Sequence, residues 1–260
     1  MLNLLKADFY RILKSKVLKV SIVLAVLIPL VLVMMSYGVS KIAESAMVDD
    51  SGVIKSMFSG RRMIASSFSL TDNFGLILPI FGAIFVSSDL KNGTLRNKII
   101  SGHNRKSIYF SHLIVTMIYN LCIIFIYSGV MALFSCLLFG YGKSVDVKEL
   151  FYILIIGFVS FLFVATISTL FTLLINSTPL AIVLTIACCL GLSFICTIIS
   201  VLDYEKFKGL VYFIPLFANS SMASFELSDS LFIEGFLSLI VFGALNTVLG
   251  LALFLKNDLK

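Results

Sequence analysis

The sequence predicts an all-α membrane protein: about six transmembrane helices preceded by an amphipathic helix in the membrane interface. Composition comes first. Of 260 residues, 59% are hydrophobic and 13% charged, against about 25% charged in an ordinary soluble domain. A soluble fold of this length still exposes roughly a quarter of its chain surface and could not hide so much apolar area. Pattern comes second. The polar residues cluster and leave uncharged runs of the ~18 residues or more that read as spans. The third observation is where the basic residues sit. The net charge is +6, but the lysines and arginines flank the apolar runs, as in positive-inside topology, which argues against a nucleic-acid-binding surface.

The elements follow in order. In residues 1–19, Leu2, Leu5, Phe9, Ile12, Leu13 and Val17 recur at helical spacing, with Lys6, Arg11, Lys14 and Lys19 around them. That pattern describes an interfacial helix with cations near anionic head groups. Span one is 20–38, too long for a signal h-region and followed by no small-residue cleavage site, so it is expected to be retained. A polar external loop, 39–70, leads to a short second span, 71–88. A charged segment, 89–107, precedes span three, 108–139. No charge appears from Ile108 to Gly142, so this helix is tilted, kinked or extended beyond the bilayer.

The uncharged run from Leu150 to Leu202 is too long for one helix. Asn176-Ser177-Thr178-Pro179 marks a turn within it, with Pro179 suited to a first helical turn. Two spans result, 150–175 and 178–200. Residues 203–230 are broken by Pro215 and Asn219-Ser220-Ser221 and read as an external re-entrant or surface hairpin, whose backbone needs protein or water beside it. The last span is 235–255. With the amino terminus inside, five basic residues precede span one and five separate spans two and three. Lys256 and Lys260 complete 12 of the 20 on that side, while 11 of 14 acidic residues fall outside. Both termini are therefore expected to be cytoplasmic.

Several chemistries find no support. The cysteines Cys122, Cys136, Cys188, Cys189 and Cys196 all lie in apolar runs without C-x-x-C spacing, and read as small packing residues. His103 and His112 form no H-E-x-x-H, so a zinc hydrolase lacks ligands. Gly140-Tyr141-Gly142-Lys143-Ser144 ends like a phosphate-binding loop, but Leu137 stands where that loop needs its first glycine. No nucleotide site, metal or other cofactor is expected on this chain. The spans lack an Asp, Glu, Lys or Arg near their middles, unlike proton-coupled carriers and ion pumps. Asn120 and Asn246 are candidates for interhelical hydrogen bonds or for lining a path. Gly243 and Gly250, seven apart on one helical face, favour close helix packing.

The informative segment is 89–105. Asn92-Gly93 breaks the helix leaving the membrane, and Thr94 can cap a new one. Leu95, Ile99 and Ile100 then share one face, with Arg96 and Lys98 off it. Gly102 stops this helix, and Arg105 and Lys106 sit where span three enters the bilayer. A short surface helix of this kind suits mechanical contact with another protein.

This segment resembles the cytoplasmic loop between spans two and three of ABC-2 type transporter permeases, in which an acidic residue precedes Gly-Thr-x-Arg, then a small residue, then an Arg leading into span three. Asp89, Gly93, Thr94, Arg96, Gly102 and Arg105 match. Lys91, where an acidic residue is common, and His112, near a position often held by lysine, depart from it. The amphipathic start, the external loop after span one and the broken hairpin before span six are also similar to that family. The resemblance implies a six-helix ABC-2 permease bundle in a bacterial plasma membrane. Its coupling helix, with Gly93, Thr94, Leu95, Arg96, Asn97, Ile99, Ile100 and Arg105, would dock on an ABC ATPase subunit that binds the ATP and Mg²⁺. A second permease chain would complete the exporter, whose cargo would be an amphipathic peptide or a hydrophobic compound. A channel or scaffold, and less so an intramembrane enzyme, stay open as alternatives.

Overall fold

The computed structural model describes residues 2–45, 58–70, 77–91, 93–140, 147–175, 177–201, 214–220 and 228–256. Among these there is no strand, and the helices in chain order are α1 (Leu2–Lys14), α2 (Lys16–Ser45), α3 (Gly60–Phe68), α4 (Ile77–Lys91), α5 (Thr94–Ile100), α6 (Arg105–Phe139), α7 (Val147–Leu174), α8 (Thr178–Val201), α9 (Phe217–Ser220) and α10 (Asp229–Lys256). Five of them, α2, α6, α7, α8 and α10, are long and apolar enough to cross a membrane. The expected second span corresponds to α4, whose 15 described residues reach only about 22 Å at 1.5 Å per residue. Residues 71–76 of that expectation lie outside the described residues, as do Asn92 and parts of the two expected external segments, 46–57 and 202–213 with 221–227.

The chain turns where the backbone can be capped. At Ser15 the expected single segment 1–19 divides in two. The Ser15 hydroxyl donates to the Ile12 carbonyl at 2.7 Å and accepts from the Leu18 N–H at 3.1 Å, closing α1 and opening α2 with one side chain. On either side of the expected turn, of which Asn176 lies outside the described residues, α7 ends at Leu174 and α8 starts at Thr178, and Pro179 falls in the first turn, where no amide donor is required. Span six starts earlier than its charges suggested. Ser228 accepts from the Leu231 N–H, and Asp229 and Glu234 are carried on the first turns of α10, where acidic side chains suit the helix dipole.

Helix α6 runs unbroken through Arg105–Phe139, about 52 Å of helix against a ~30 Å hydrocarbon core. It is neither interrupted nor split, and each of its ends holds a short helix. Along its length it packs against α2, whose buried Ser21, Ala25, Pro29 and Val33 recur every four residues and form one stripe. Small residues in that stripe bring the two helices close. The larger of two apolar clusters centres on α4, α6 and α7, with Leu78, Val86, Ile123, Tyr127, Phe161 and Val164 all fully buried.

Candidate functional site

The site is the junction of α1, α4, α5 and the start of α6. Helix α5 is fixed at both ends by glycine geometry. Gly93 precedes it with φ of 64° and Gly102 follows with φ of 84°, a left-handed conformation costing a side-chain-bearing residue about 1–2 kcal/mol. The Asn97 N–H donates to the Gly93 carbonyl at 3.1 Å, so Gly93 occupies the cap position and Thr94 is the first helical residue, not the cap expected for it. At the far end His103 N–H donates to Lys98 O at 3.2 Å and Gly102 N–H to Ile99 O at 3.0 Å. That pair of bonds is a Schellman stop, which satisfies the last carbonyls. Asn104 then caps α6 by accepting from Lys106 N–H at 3.1 Å, and the Arg105 guanidinium reaches the Leu255 carbonyl at the end of α10.

The expected apolar face of α5 needs correcting. Leu95 is buried and Ile99 half-buried against the core, but Ile100 is 73% exposed. Arg96 and Asn97 are exposed as well, and Arg96 and Ile100, four apart, share the outward face. Lys98, expected on the polar side, turns inward. Its ammonium donates to Asp8 Oδ1 at 2.7 Å.

Asp8 is the residue that the apolar periodicity of α1 passed over. Leu4, Asp8 and Ile12 form the buried stripe of that helix, and Asp8 is only 2% exposed. Phe9, Tyr10 and Leu13 face away. The available signal was an acid placed four residues from Leu4 and four from Ile12. Its Oδ2 accepts from the Ser111 hydroxyl of α6 at 2.8 Å, and the Arg11 guanidinium lies 3.7 Å from Oδ1. Arg11 also covers the Phe85 ring of α4, 4.8 Å from its centroid. One carboxylate thereby joins α1, α5 and α6, and its arginine neighbour adds α4. Burial alone would raise the Asp8 carboxyl. The neighbouring His112 imidazole, the Lys98 ammonium and the Ser111 hydroxyl together bring it below the ordinary aspartate value of 3.8. Burial pulls the Lys98 ammonium below its ordinary value, with Asp8 offsetting part of that.

The other candidates separate. Asn120 is fully buried and donates from Nδ2 to the Phe161 carbonyl of α7 at 3.4 Å. Asn246 is half-buried on α10. Gly250 packs close: a Cβ there would collide with the Tyr109 hydroxyl. Gly243 does not, since its nearest neighbour, Phe163, is at ordinary contact distance. Gly243 instead lines a cleft of about 300 Å³ among α6, α7 and α10, with Met117, Phe163, Leu239 and two threonines. Those hydroxyls, Thr166 and Thr247, already donate to the backbone at 2.7 Å, so the cleft offers an almost purely apolar surface.

At the opposite end of α6, α3 and α9 form a cap. The Gly60 N–H donates to Gly140 O at 3.0 Å; Gly140 thus serves as the α6 stop and a docking point. The buried Asn219 amide of α9 donates to Phe68 O at 2.9 Å and accepts from Leu70 N–H at 3.1 Å. Within the expected external hairpin, Leu216, Phe217, Ala218 and Asn219 are buried, while Ser220 and Ser228 to Ser230 are exposed.

No protein-family profile and no curated protein sequence matches the chain.

Proposed function

We propose that this chain is the membrane-spanning permease subunit of an ATP-driven ABC exporter of the ABC-2 type, set in a bacterial plasma membrane with both termini cytoplasmic. The observation that carries this reading is the outward face of α5. Arg96, Asn97 and Ile100 stand exposed on a helix whose ends are locked and whose underside is buried through Leu95. A charged side chain beside a 73% exposed isoleucine on a rigid support is suited to receive a partner protein. In this reading α4 belongs to the second of six spans.

Two such chains, identical or siblings, pair with two ATPase subunits that hold ATP and Mg²⁺. Nucleotide binding closes the ATPases, α5 is displaced, and the packed helices shift between two arrangements whose populations the nucleotide biases. The cargo is an amphipathic peptide or a hydrophobic compound. The uncharged span middles and the apolar cleft beside Gly243 support this. No nucleic acid takes part.

The test is affinity capture of the tagged chain from mild detergent, assayed for a co-purifying ATPase of about 25–35 kDa, one nucleotide-binding domain in size. Stoichiometric capture, lost on Arg96→Glu, supports the reading. An intact chain that captures no ATPase turns attention to a channel or scaffold. Gly93→Pro cannot adopt the positive φ and is expected to abolish transport while membrane insertion persists. Sensitivity to a panel of membrane-active peptides, with and without the chain, tests the cargo class.

A further inference from the structure

We infer that Asp8 is the positioning residue of α5, and that α1 moves with α5 as one body rather than floating in the interface as a lipid anchor. The functional half of this inference, that a push on α5 reaches α1, rests on the permease reading above; the positional half does not.

Helix α5 is short and offers little buried surface of its own. The helix has seven residues and buries one side chain fully, Leu95. A helix this short is not stable by itself. Its glycine-bounded ends fix where it starts and stops, but they leave its rotation about its own axis to side chains. Two of these point inward besides Leu95. Ile99 supplies half-buried apolar contact, and Lys98 supplies a charge that ends on Asp8. Removing the charge pair weakens the hold on this rotation, and the apolar set Leu95, Ile99 and Ile100 favours burying Ile100 too. The Asp8–Lys98 bond selects the alternative seen here, with Ile100 outside and level with Arg96.

The carboxylate does this from a fixed place. Ser111 holds its second oxygen, Arg11 sits beside the first, and Arg11 is itself laid on Phe85 of α4. Leu4 and Ile12, one turn either side, are buried. Displacing α5 therefore pulls on α1 through a bond that is largely sheltered from water, and on α4 through Arg11. Breaking one partner of such a pair strands the other charge, which is strongly destabilising.

The experiment uses the full chain in phospholipid nanodiscs, with a cysteine introduced by Leu95→Cys and a membrane-impermeant maleimide as probe. Labelling of the parent chain is the background. With Asp8 and Lys98 intact, Cys labelling at 95 is expected to be slow. In Asp8→Asn, and separately in Lys98→Met, it is expected to rise at least about fivefold, as for loss of a charge-assisted hydrogen bond. The double variant is expected to label no faster than the faster single. Rapid labelling with both residues intact, no rise in either single variant, or rates that multiply in the double variant would each overturn the positioning role.

A second cysteine, Leu4→Cys in the buried stripe of α1, reads the transmission in the complex with the captured ATPase. ATP is expected to change its labelling rate in the parent and to leave it unchanged in Asp8→Asn. An equal ATP response in both overturns the coupled movement. If no form captures an ATPase, the permease reading fails while the labelling cycle at position 95 still decides the positioning role.

Discussion

The two ends of α6 each hold a short helix, and they do it by different physics. At its start, α5 is held by charges: Asp8, Lys98 and Arg11 meet with the Ser111 hydroxyl. At its far end, α3 is held by shape and by a neutral amide. Phe68 fills the space that the missing side chain of Gly157 leaves, the Ala218 methyl lies against Gly235, and Asn219 pairs with backbone on both sides of Ser69. Ion pairs are present at the far end as well, Arg61 with Glu149 and Lys148 with Asp229 at 2.8 Å, but they are in part or wholly exposed. A sheltered charge network can be biased by pH, by a partner's charge or by losing one member. A close-packed cap held by a neutral amide resists the first two and yields to a change of shape or to loss of that amide. The charged end is thus the one that responds to pH and to added charge.

That contrast can be broken most strongly at Asn219. Asn219→Ala strands the buried Phe68 carbonyl and Leu70 N–H, so a loss of about 2–6 kcal/mol, about 1–3 for each group, is expected in denaturation followed in mild detergent. An unchanged midpoint would mean that those groups find other partners and that the amide does not hold the cap. Next comes Gly157→Ala. Its Cβ would lie 2.5 Å from Cδ1 of the buried Phe68, an overpacking worth about 1–3 kcal/mol. Adding Phe68→Leu should recover part of the loss, and simple additivity would show that the two sites do not touch in the way described.

The charged end should answer to pH where the cap does not. The folded Asp8 carboxyl lies below its ordinary 3.8, so its contribution is complete above that value and disappears as pH falls through the lower folded value. Above about pH 5 the stability gap between the parent chain and Asp8→Asn should be flat; it should narrow below 3.8. A gap that stays constant down to about pH 3 would remove the ionic account. The smallest effect is expected from Asp229→Asn, which breaks an exposed pair with Lys148 and should leave the thermal midpoint where it was, since such pairs contribute little. A clear drop would show that the stack of Tyr152 on Phe232, 4.0 Å between centroids beside it, depends on the pair.

Much of this organisation is legible in the residues. Long uncharged runs set out α2, α6, α7, α8 and α10, because backbone in hydrocarbon must satisfy its own hydrogen bonds and the helix does so. Their ends are less legible: α2 and α10 continue past Lys19 and Glu234, since charges outside the bilayer stop a span but not a helix. Gly93 and Gly102 bracket α5 in sequence as in structure. Which way α5 faces was not legible, because the apolar stripe predicts Ile100 inside and Lys98 outside. The Asp8 clamp, 90 residues away in the chain, reverses both. Asn219 sits in a stretch whose breaks suggested only a hairpin, and its partners at 68 and 70 come from a different loop.

What the sequence determined by itself is local: which runs are helical, where glycine and serine must end them, and that the apolar ones suit a membrane. Those choices depend on hydrophobicity and backbone conformation, which each segment carries with it. The tertiary structure decided the rotation of α5, the burial of Asp8 and the closing of the cap. Each of these is a bargain between residues far apart in the chain, and a buried carboxylate or amide is stable only where distant partners arrive to satisfy it.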